Sequence, residues 1–160
     1  MYGGFTTSAQ LQVGANVTIG ALTPTYYSGS PQLSNFSKTN LTVNESTGPV
    51  EPIIITYNDF SFTRIGTLVT IENLLITGMN SAKTSVYVKD SQNNSFTVRI
   101  DDSTGMTADT LGLTIGETIT VTGPLSYYDY DFDSSNESYV YLNSKYQLML
   151  TLENDIIIID

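Results

Sequence analysis

The sequence lacks the side chains on which most catalytic and metal sites depend. Its 160 residues include no cysteine, no histidine and no tryptophan. Without cysteine the chain has no disulfide, no thiolate nucleophile and no cysteine-ligated zinc. Without histidine it lacks the usual general base and the commonest metal ligand. No base–nucleophile pair stands out among the remaining residues, so we expect a protein that is not an enzyme.

Positive charge is also scarce. Lysine and arginine number 6 against 16 aspartates and glutamates, which gives a formal net charge of −10. Proteins that bind nucleic-acid backbones or acidic membrane surfaces draw their affinity from clustered lysine and arginine. The composition therefore makes nucleic acid an unlikely partner. The six cations stand singly along the chain: Lys38, Arg64, Lys83, Lys89, Arg99 and Lys145.

Long apolar runs are missing as well. No run approaches the roughly 18 residues that a membrane-spanning helix needs, so we expect no membrane insertion. The sequence contains no signal-peptide pattern. Its polar, lysine-poor and cysteine-free composition is typical of an extracellular or cell-surface prokaryotic protein, with an acidic cytoplasmic protein as the alternative. An export signal, if there is one, would lie outside this chain.

Alternation of apolar and polar residues dominates the second half of the chain and predicts half-buried strands. The alternation is clear at residues 69–75, 86–88, 96–100 and 119–121. Turn-forming residues separate the first three of these segments. One short helix is predicted over residues 103–111, with Gly112 as its stop. From residue 65 the predicted order is therefore strand, strand, strand, short helix, strand, strand.

One phrase of the sequence occurs twice. Residues 11–19 return as residues 113–121, an offset of 102 positions, and a tyrosine pair follows each copy. The second copy is preceded by a full set of predicted strands, whereas the first has only ten residues ahead of it. Residues 44–53 are rich in glycine, proline and serine and are typical of a linker. We therefore expect a partial repeat over 1–43, a linker over 44–53 and a complete domain over 54–160.

The residues that carry a resemblance span about 55–160. They are Gly66–Ile71 for a first strand, Ser85–Asp90 and Phe96–Asp102 for the next two, and Leu113–Gly123 and Tyr146–Leu148 for the last two. This sequence pattern resembles the OB-fold. It is similar to OB-like modules of secreted or surface-anchored bacterial multidomain proteins, some beside extracellular nuclease domains and others in tandem. The resemblance implies an all-β, OB-fold-like five-stranded Greek-key barrel with one short helix. A partial second OB-like repeat would precede this barrel.

The resemblance also implies a ligand surface on strands two and three and on the loops that join strands one to two and four to five. The loop between strands four and five, residues 127–137, holds many aromatic rings and four carboxylates but no cation. Its rings are suited to stacking on sugars or bases, or alternatively to covering one end of the barrel. The candidate ligand-binding residues are Tyr87, Arg99, Tyr127, Tyr128, Tyr130, Phe132, Tyr139 and Tyr141.

Tyr26, Tyr27 and Phe36 in the partial repeat present a similar choice. Their rings are suited either to a ligand or to the interface between the two parts of the chain. We favour the interface.

Asp129, Asp131 and Asp133 alternate in the same loop and resemble the start of a calcium loop. The glycine usual six positions into such a loop is replaced by Ser134, and the usual glutamate at the twelfth position by Val140. The alternative is a solvated acidic hairpin tip. No cofactor is expected other than this possible calcium ion.

These features together favour a non-catalytic binding or spacer module of a secreted or surface-exposed protein. Its expected partners are polysaccharide, peptide, neighbouring domains or further copies of the same protein. One alternative is a structural subunit of an extracellular filament or array that assembles by β-strand addition through the apolar segment 156–159. The other is an OB-type nucleic-acid-binding accessory domain of an extracellular nuclease.

Overall fold

The computed structural model describes residues 14–20, 22–34, 40–45, 48–136 and 138–159, and β-strands dominate these ranges. Short 3-10 helices connect several of the strands. Within the part of the chain that the structure describes, no helix has the length and apolar character needed to cross a bilayer. The strands are β1 (Val17–Ile19), β2 (Thr23–Tyr27), β3 (Ser30–Ser34), β4 (Leu41–Val43), β5 (Ile53–Ile54), β6 (Leu68–Met79), β7 (Ser85–Lys89), β8 (Ser95–Ile100), β9 (Thr118–Tyr127), β10 (Tyr146–Leu150) and β11 (Ile156–Ile159).

Five of these strands close into a barrel. Strand β6 pairs antiparallel with β7, and β7 pairs antiparallel with β8. Strand β8 pairs parallel with β10, β10 pairs antiparallel with β9, and β9 returns to β6. A closed five-stranded barrel with this strand order is the OB-like arrangement, so the all-β, OB-fold-like prediction is confirmed.

Alternation along each strand fills the barrel interior. In β9 every second residue is buried, and β7, β8 and β10 alternate in the same way. Each fully buried aliphatic side chain stabilises the fold by roughly 1.5–3 kcal/mol relative to leaving it exposed. The least exposed side chains of the core are Val69, Leu74, Ile76, Val86, Val88, Val98, Ile100, Ile119, Val121, Leu125, Tyr127, Tyr146, Leu148 and Leu150.

Strand β6 contains a bulge and pairs with three strands, β5, β7 and β9. Its pairing with β9 shifts register between Ile71 and Leu74, and Asn73 within the shift has a φ of 57°. A β-bulge of this kind adds a residue to one strand and increases its local twist. The bend lets the second half of β6 pair with β7, while the first half pairs with the short parallel strand β5.

Gly123 lies where β9 changes neighbours. Residues 118–121 of β9 pair with β11, and residues 125–127 pair with β10. A Cβ atom on Gly123 would lie 2.2 Å from the carbonyl oxygen of Met149. Glycine is required here because the β10 backbone passes too close for any side chain.

The segment that was predicted as a short helix, residues 103–111, is not an α-helix. It begins as a 3-10 helix over Asp102–Thr104, which the Asp101 side chain caps, and Gly105 ends it in the left-handed conformation with a φ of 70°. Turns follow, in which the side chains of Thr107 and Thr110 bond to backbone groups. Side chains that compete for backbone hydrogen bonds disfavour a continuous helix.

The N-terminal strands lie outside the barrel. Strand β1 pairs antiparallel with β4, and β2 pairs antiparallel with β3 through a two-residue turn at Ser28 and Gly29. Both turn residues have positive φ, 47° and 85°, which is the backbone twist that tight β-hairpins favour.

Strands β1 and β4 pair antiparallel, as β9 and β11 do. Ile19 lies opposite Leu41, and Val121, which is 102 positions after Ile19, lies opposite Ile156. Gly14 and Gly116, also 102 positions apart, have φ angles of 86° and 98°. The two copies of the repeated phrase thus share a glycine turn and the start of a strand.

Strands β2 and β3 pair antiparallel, as β9 and β10 do, but their side chains differ. Thr25 lies opposite Gln32, whereas Tyr127, 102 positions after Thr25, lies opposite Tyr146. A polar set replaces the apolar set that fills the barrel, so residues 14–45 do not reproduce its core. The partial repeat stays a prediction. The corresponding sets are Thr23, Thr25, Gln32 and Ser34 against Leu125, Tyr127, Tyr146 and Leu148.

Candidate binding site

The long loop between β9 and β10, residues 128–145, is organised around one buried carboxylate. Asp129 is 5% exposed and is one of two buried polar residues among those described. Its Oδ1 atom accepts bonds from the Lys145 ammonium at 2.9 Å and from the Asp131 amide at 3.2 Å. Its Oδ2 atom accepts a short hydrogen bond from the Tyr139 hydroxyl. A buried carboxylate needs such partners, because an unpaired charge away from water is costly.

A chain of hydroxyl groups extends this network into the barrel. The Tyr127 and Tyr139 hydroxyl oxygens lie 2.9 Å apart, and the Leu142 amide donates to Tyr127 at 3.3 Å. Because Tyr139 donates to Asp129, Tyr127 donates to Tyr139. Hydrogen bonds from Tyr139, with those from Lys145 and the Asp131 amide, hold the pKa of Asp129 below its usual range despite burial. Burial and the bond to Asp129 raise the pKa of Tyr139.

Aromatic rings form a continuous row from the core to the surface. Tyr127 packs against Tyr146 with centroids 5.0 Å apart and against Tyr141 at 4.7 Å. Tyr141 in turn packs on Tyr139 at 5.3 Å, and Tyr139 on Phe132 at 4.9 Å. Neighbouring rings are steeply inclined to one another, at angles of 63° to 85°. Edge-to-face packing of this kind favours a fixed arrangement of the loop.

The β2–β3 hairpin docks on this loop through its turn. The Asp129 amide donates to the Ser28 carbonyl at 2.8 Å, and the Tyr141 hydroxyl donates to the Gly29 carbonyl at 3.3 Å. A Cβ atom on Gly29 would lie 2.6 Å from a ring carbon of Tyr127. The turn therefore sits directly on the aromatic row.

The docking brings the two tyrosine pairs of the sequence together. Tyr27 packs on Tyr128 with ring centroids 6.2 Å apart, and Tyr26 packs on Phe132 at 5.4 Å. The expectation that Tyr26 and Tyr27 lie in the interface is confirmed. Phe36, which was expected there too, lies outside the described residues.

A cleft of about 170 Å³ opens between the hairpin and the loop. Aromatic rings from both segments and polar side chains of the loop line it. The lining residues are Tyr26, Phe132, Asp133, Ser134, Asn136, Tyr139 and Tyr141.

No family model matches this sequence, and neither the curated proteins nor the solved structures include a significant match to it.

The predicted ligand-binding residues of the loop separate into three groups. Tyr127 is a core residue, 1% exposed, so its prediction as a ligand contact is wrong: its ring is covered by Tyr146, Tyr141 and the hairpin turn. Tyr128 and Tyr130 are exposed. The remaining three, Phe132, Tyr139 and Tyr141, line the cleft.

Tyr87 and Arg99 lie on the outer face of β7 and β8, as expected for strands two and three. The Tyr87 ring covers Gly78, where an added Cβ atom would lie 3.3 Å from it. Arg99 donates to Asp102 at 2.7 Å and to Thr84 at 2.6 Å. No ring contact among the described residues joins Tyr87 to the loop, so these two residues and the cleft are separate features.

The three aspartates of the predicted calcium loop have different surroundings. Asp129 is engaged by Lys145 and Tyr139, whereas Asp133 accepts bonds from the Ser135 amide and hydroxyl at 2.9 and 2.7 Å. Over the described ranges, no group of three or more carboxylates is placed to hold a metal ion. Calcium stays a prediction, and nothing in this geometry favours it.

Sequence reasoning missed Lys145 as a partner of the loop and Asn136 as part of the cleft. Lys145 follows Asp129 by 16 residues and lies outside the acidic run. The one available signal was that a single lysine follows a long acidic loop, in a chain with few cations. Asn136 carried no such signal.

Gly29→Ala tests the docking of the hairpin. The new methyl group would overlap the buried Tyr127 ring, so we expect the hairpin to undock and the amides of β2 and β3 to lose hydrogen-exchange protection by about tenfold or more, since overpacking costs roughly 1–3 kcal/mol. Gly66→Ala is the matched control, because its φ of 86° equals that of Gly29 within a degree and an added Cβ meets nothing within 4 Å. Equal loss of β2–β3 protection in the two variants would contradict the proposed overlap.

The buried Asp129 carboxylate also predicts a pH dependence. Its folded-state pKa is lowered, chiefly by the Tyr139 hydroxyl. Its stabilising contribution is therefore complete above the ordinary aspartate pKa of about 4, and is lost as pH falls through the lower folded-state value. Asp129→Asn should reduce the free energy of unfolding by about 1–3 kcal/mol at neutral pH, because the buried donors lose a charged acceptor.

The difference between wild type and Asp129→Asn should begin to shrink below about pH 4 and be smallest below the lowered folded-state pKa, where both proteins carry an uncharged side chain. Urea titrations across the acid range measure this. Asp131→Asn removes an exposed carboxylate from the same loop and should run parallel to the wild type. A constant difference at all pH values would show that Asp129 does not act through its charge.

Proposed function

We propose that this chain is a non-catalytic binding and spacer module of a secreted or cell-surface protein. In this proposal it contacts polysaccharide, peptide or a neighbouring domain through a tyrosine surface, defined as Tyr26, Tyr27, Tyr128 and Tyr130. The observation that carries the proposal is that two distant segments, the hairpin and the long loop, meet here. Tyr27 packs on Tyr128 and Tyr26 on Phe132, and all four tyrosines of the surface are exposed.

The exposure of these rings supports a contact role. Tyr130 is 85% exposed and Tyr27 is 58% exposed, and Tyr26 and Tyr128 are also exposed. Tyrosine presents a large apolar face and a polar tip, which suits surfaces that meet another molecule. Core packing explains Tyr127, Tyr141 and Tyr146, but it does not require the four rings of the tyrosine surface to lie at the surface.

The charge of the chain disfavours nucleic acid as a partner. The chain carries a net charge of −10, and Lys145 near the loop is already paired with Asp129. On the outer face of β7 and β8, Arg99 is paired with Asp102. A polyanion gains little from cations that are already neutralised, so the nucleic-acid alternative has the least support.

The tyrosine surface predicts a measurable loss of binding. Replacing Tyr128 and Tyr130 together with alanine should weaken retention on insoluble chitin, cellulose or peptidoglycan by about thirtyfold, since each stacked ring contributes roughly 1 kcal/mol. The double phenylalanine variant keeps both rings and should retain most of the binding. Unchanged retention of the alanine variant on a polymer that the wild type binds would refute the role of these rings.

Assembly by β-strand addition is a second candidate, favoured by strand β11. It pairs with β9 along one edge, and the isoleucines at 157, 158 and 159 remain exposed, Ile157 at 60%. An apolar edge strand is a template for another strand. If the chain assembles this way, sedimentation velocity should show concentration-dependent association that Ile157→Lys abolishes. A wild-type monomer at all concentrations would exclude it.

A further inference from the structure

The cleft between the hairpin and the loop is lined by four aromatic residues and by three polar residues of the loop. The Tyr139 hydroxyl donates to Asp129, and the Tyr141 hydroxyl donates to the Gly29 carbonyl. Both polar tips are therefore engaged within the protein, and the carbon faces and edges of these residues remain for the cleft. Phe132 adds a third ring and Tyr26 a fourth. The inclined rings form a concave corner instead of a flat stack.

The charge around the cleft is negative. Asp133 lines it, and hydrogen bonds from the Ser135 hydroxyl and amide hold the pKa of Asp133 below its usual range, so this carboxylate is ionised at neutral pH. Asp131 is exposed in the same loop. The ammonium group of Lys145 is bound to Asp129. An anionic guest would be repelled here, and a cation would be attracted both by the carboxylates and by the negative faces of the rings.

The size and the polar groups of the cleft narrow the choice of cation. A volume of about 170 Å³ is well below that of a site for a drug-sized ligand, so the guest is compact. A primary ammonium needs an acceptor for each of its N–H bonds. In the lining, Asp133 Oδ1 already accepts bonds from the Ser135 amide and hydroxyl, and Asn136 Oδ1 accepts one from the Ser138 amide. A quaternary ammonium has no N–H bond to satisfy, and its methyl groups pack on aromatic rings.

We propose that this cleft binds a compact quaternary-ammonium group, with Tyr26, Phe132, Tyr139 and Tyr141 as its ring walls and Asp133 as its counter-charge. The hairpin and the loop each contribute walls, so the site exists only when the hairpin is docked. The inference rests on the binding role in the proposed function and adds a ligand class to it. It concerns the cleft, whereas polymer contacts of that function involve the exposed Tyr128 and Tyr130.

Choline is the probe for the test, and 3,3-dimethylbutan-1-ol, its uncharged isostere of nearly the same shape, is the matched control. In two-dimensional NMR titrations of the full chain, choline should shift the amide signals of Tyr26 and of residues 132–136. We expect a Kd of about 1–10 mM, as suits a small cation held by a few rings and one carboxylate. The isostere should bind at least about fivefold more weakly, because it lacks the charge.

Two variants assign the effect to residues. Asp133→Asn should weaken choline binding several-fold, whereas Asp109→Asn removes the same charge elsewhere and should not change it. Tyr26→Leu keeps an apolar side chain but removes a ring wall, and should also weaken binding; unchanged hydrogen exchange in β2 and β3 would verify that the hairpin is still docked. Equal affinity for choline and its isostere, or no shift of the named signals, overturns the inference. Retention on polymers through Tyr128 and Tyr130 would survive that result, so the two proposals fail separately.

Discussion

The buried Asp129 carboxylate is the interaction on which the rest of the site depends. Its side chain accepts hydrogen bonds from the Lys145 ammonium and the Tyr139 hydroxyl, and its backbone amide donates to the Ser28 carbonyl. One residue thus ties together the loop, the start of β10 and the hairpin. Because a charged group away from water is costly unless every partner is present, these contacts form together. The loop owes its shape to that requirement.

Tyrosines in this chain have opposite roles that burial alone distinguishes. Tyr127 and Tyr146 fill the barrel end, and burial raises the pKa of Tyr146 to about 12, which keeps it neutral. The hydroxyls of Tyr139 and Tyr141 donate hydrogen bonds within the protein, and the rings of both residues line the cleft. Tyr130 lies in water. Between residues 127 and 146, tyrosine therefore serves as core residue, as cleft wall and as exposed surface residue.

The repeated sequence segment has only a partial structural counterpart. Its two copies share a positive-φ glycine followed by a strand, because these are local properties of backbone and turn. The paired side chains of the hairpin are polar at Thr25 and Gln32, whereas those of β9 and β10 fill the barrel. Without such a core, the hairpin docks on the barrel's long loop through its turn. The apolar surface for burial is supplied by the long loop.

The sequence by itself determined the barrel. Period-two alternation, turn residues and strand order follow from local rules, and they sufficed for the all-β, OB-like architecture. The prediction of a helix over 103–111 was wrong because Gly105, inside the segment, adopts the left-handed conformation that ends a helix. Only the tertiary structure decided the site: that Tyr127 is buried, that Lys145 neutralises Asp129, and that the hairpin completes the cleft. These depend on contacts between residues up to 112 positions apart, and no local pattern encodes which distant groups will meet.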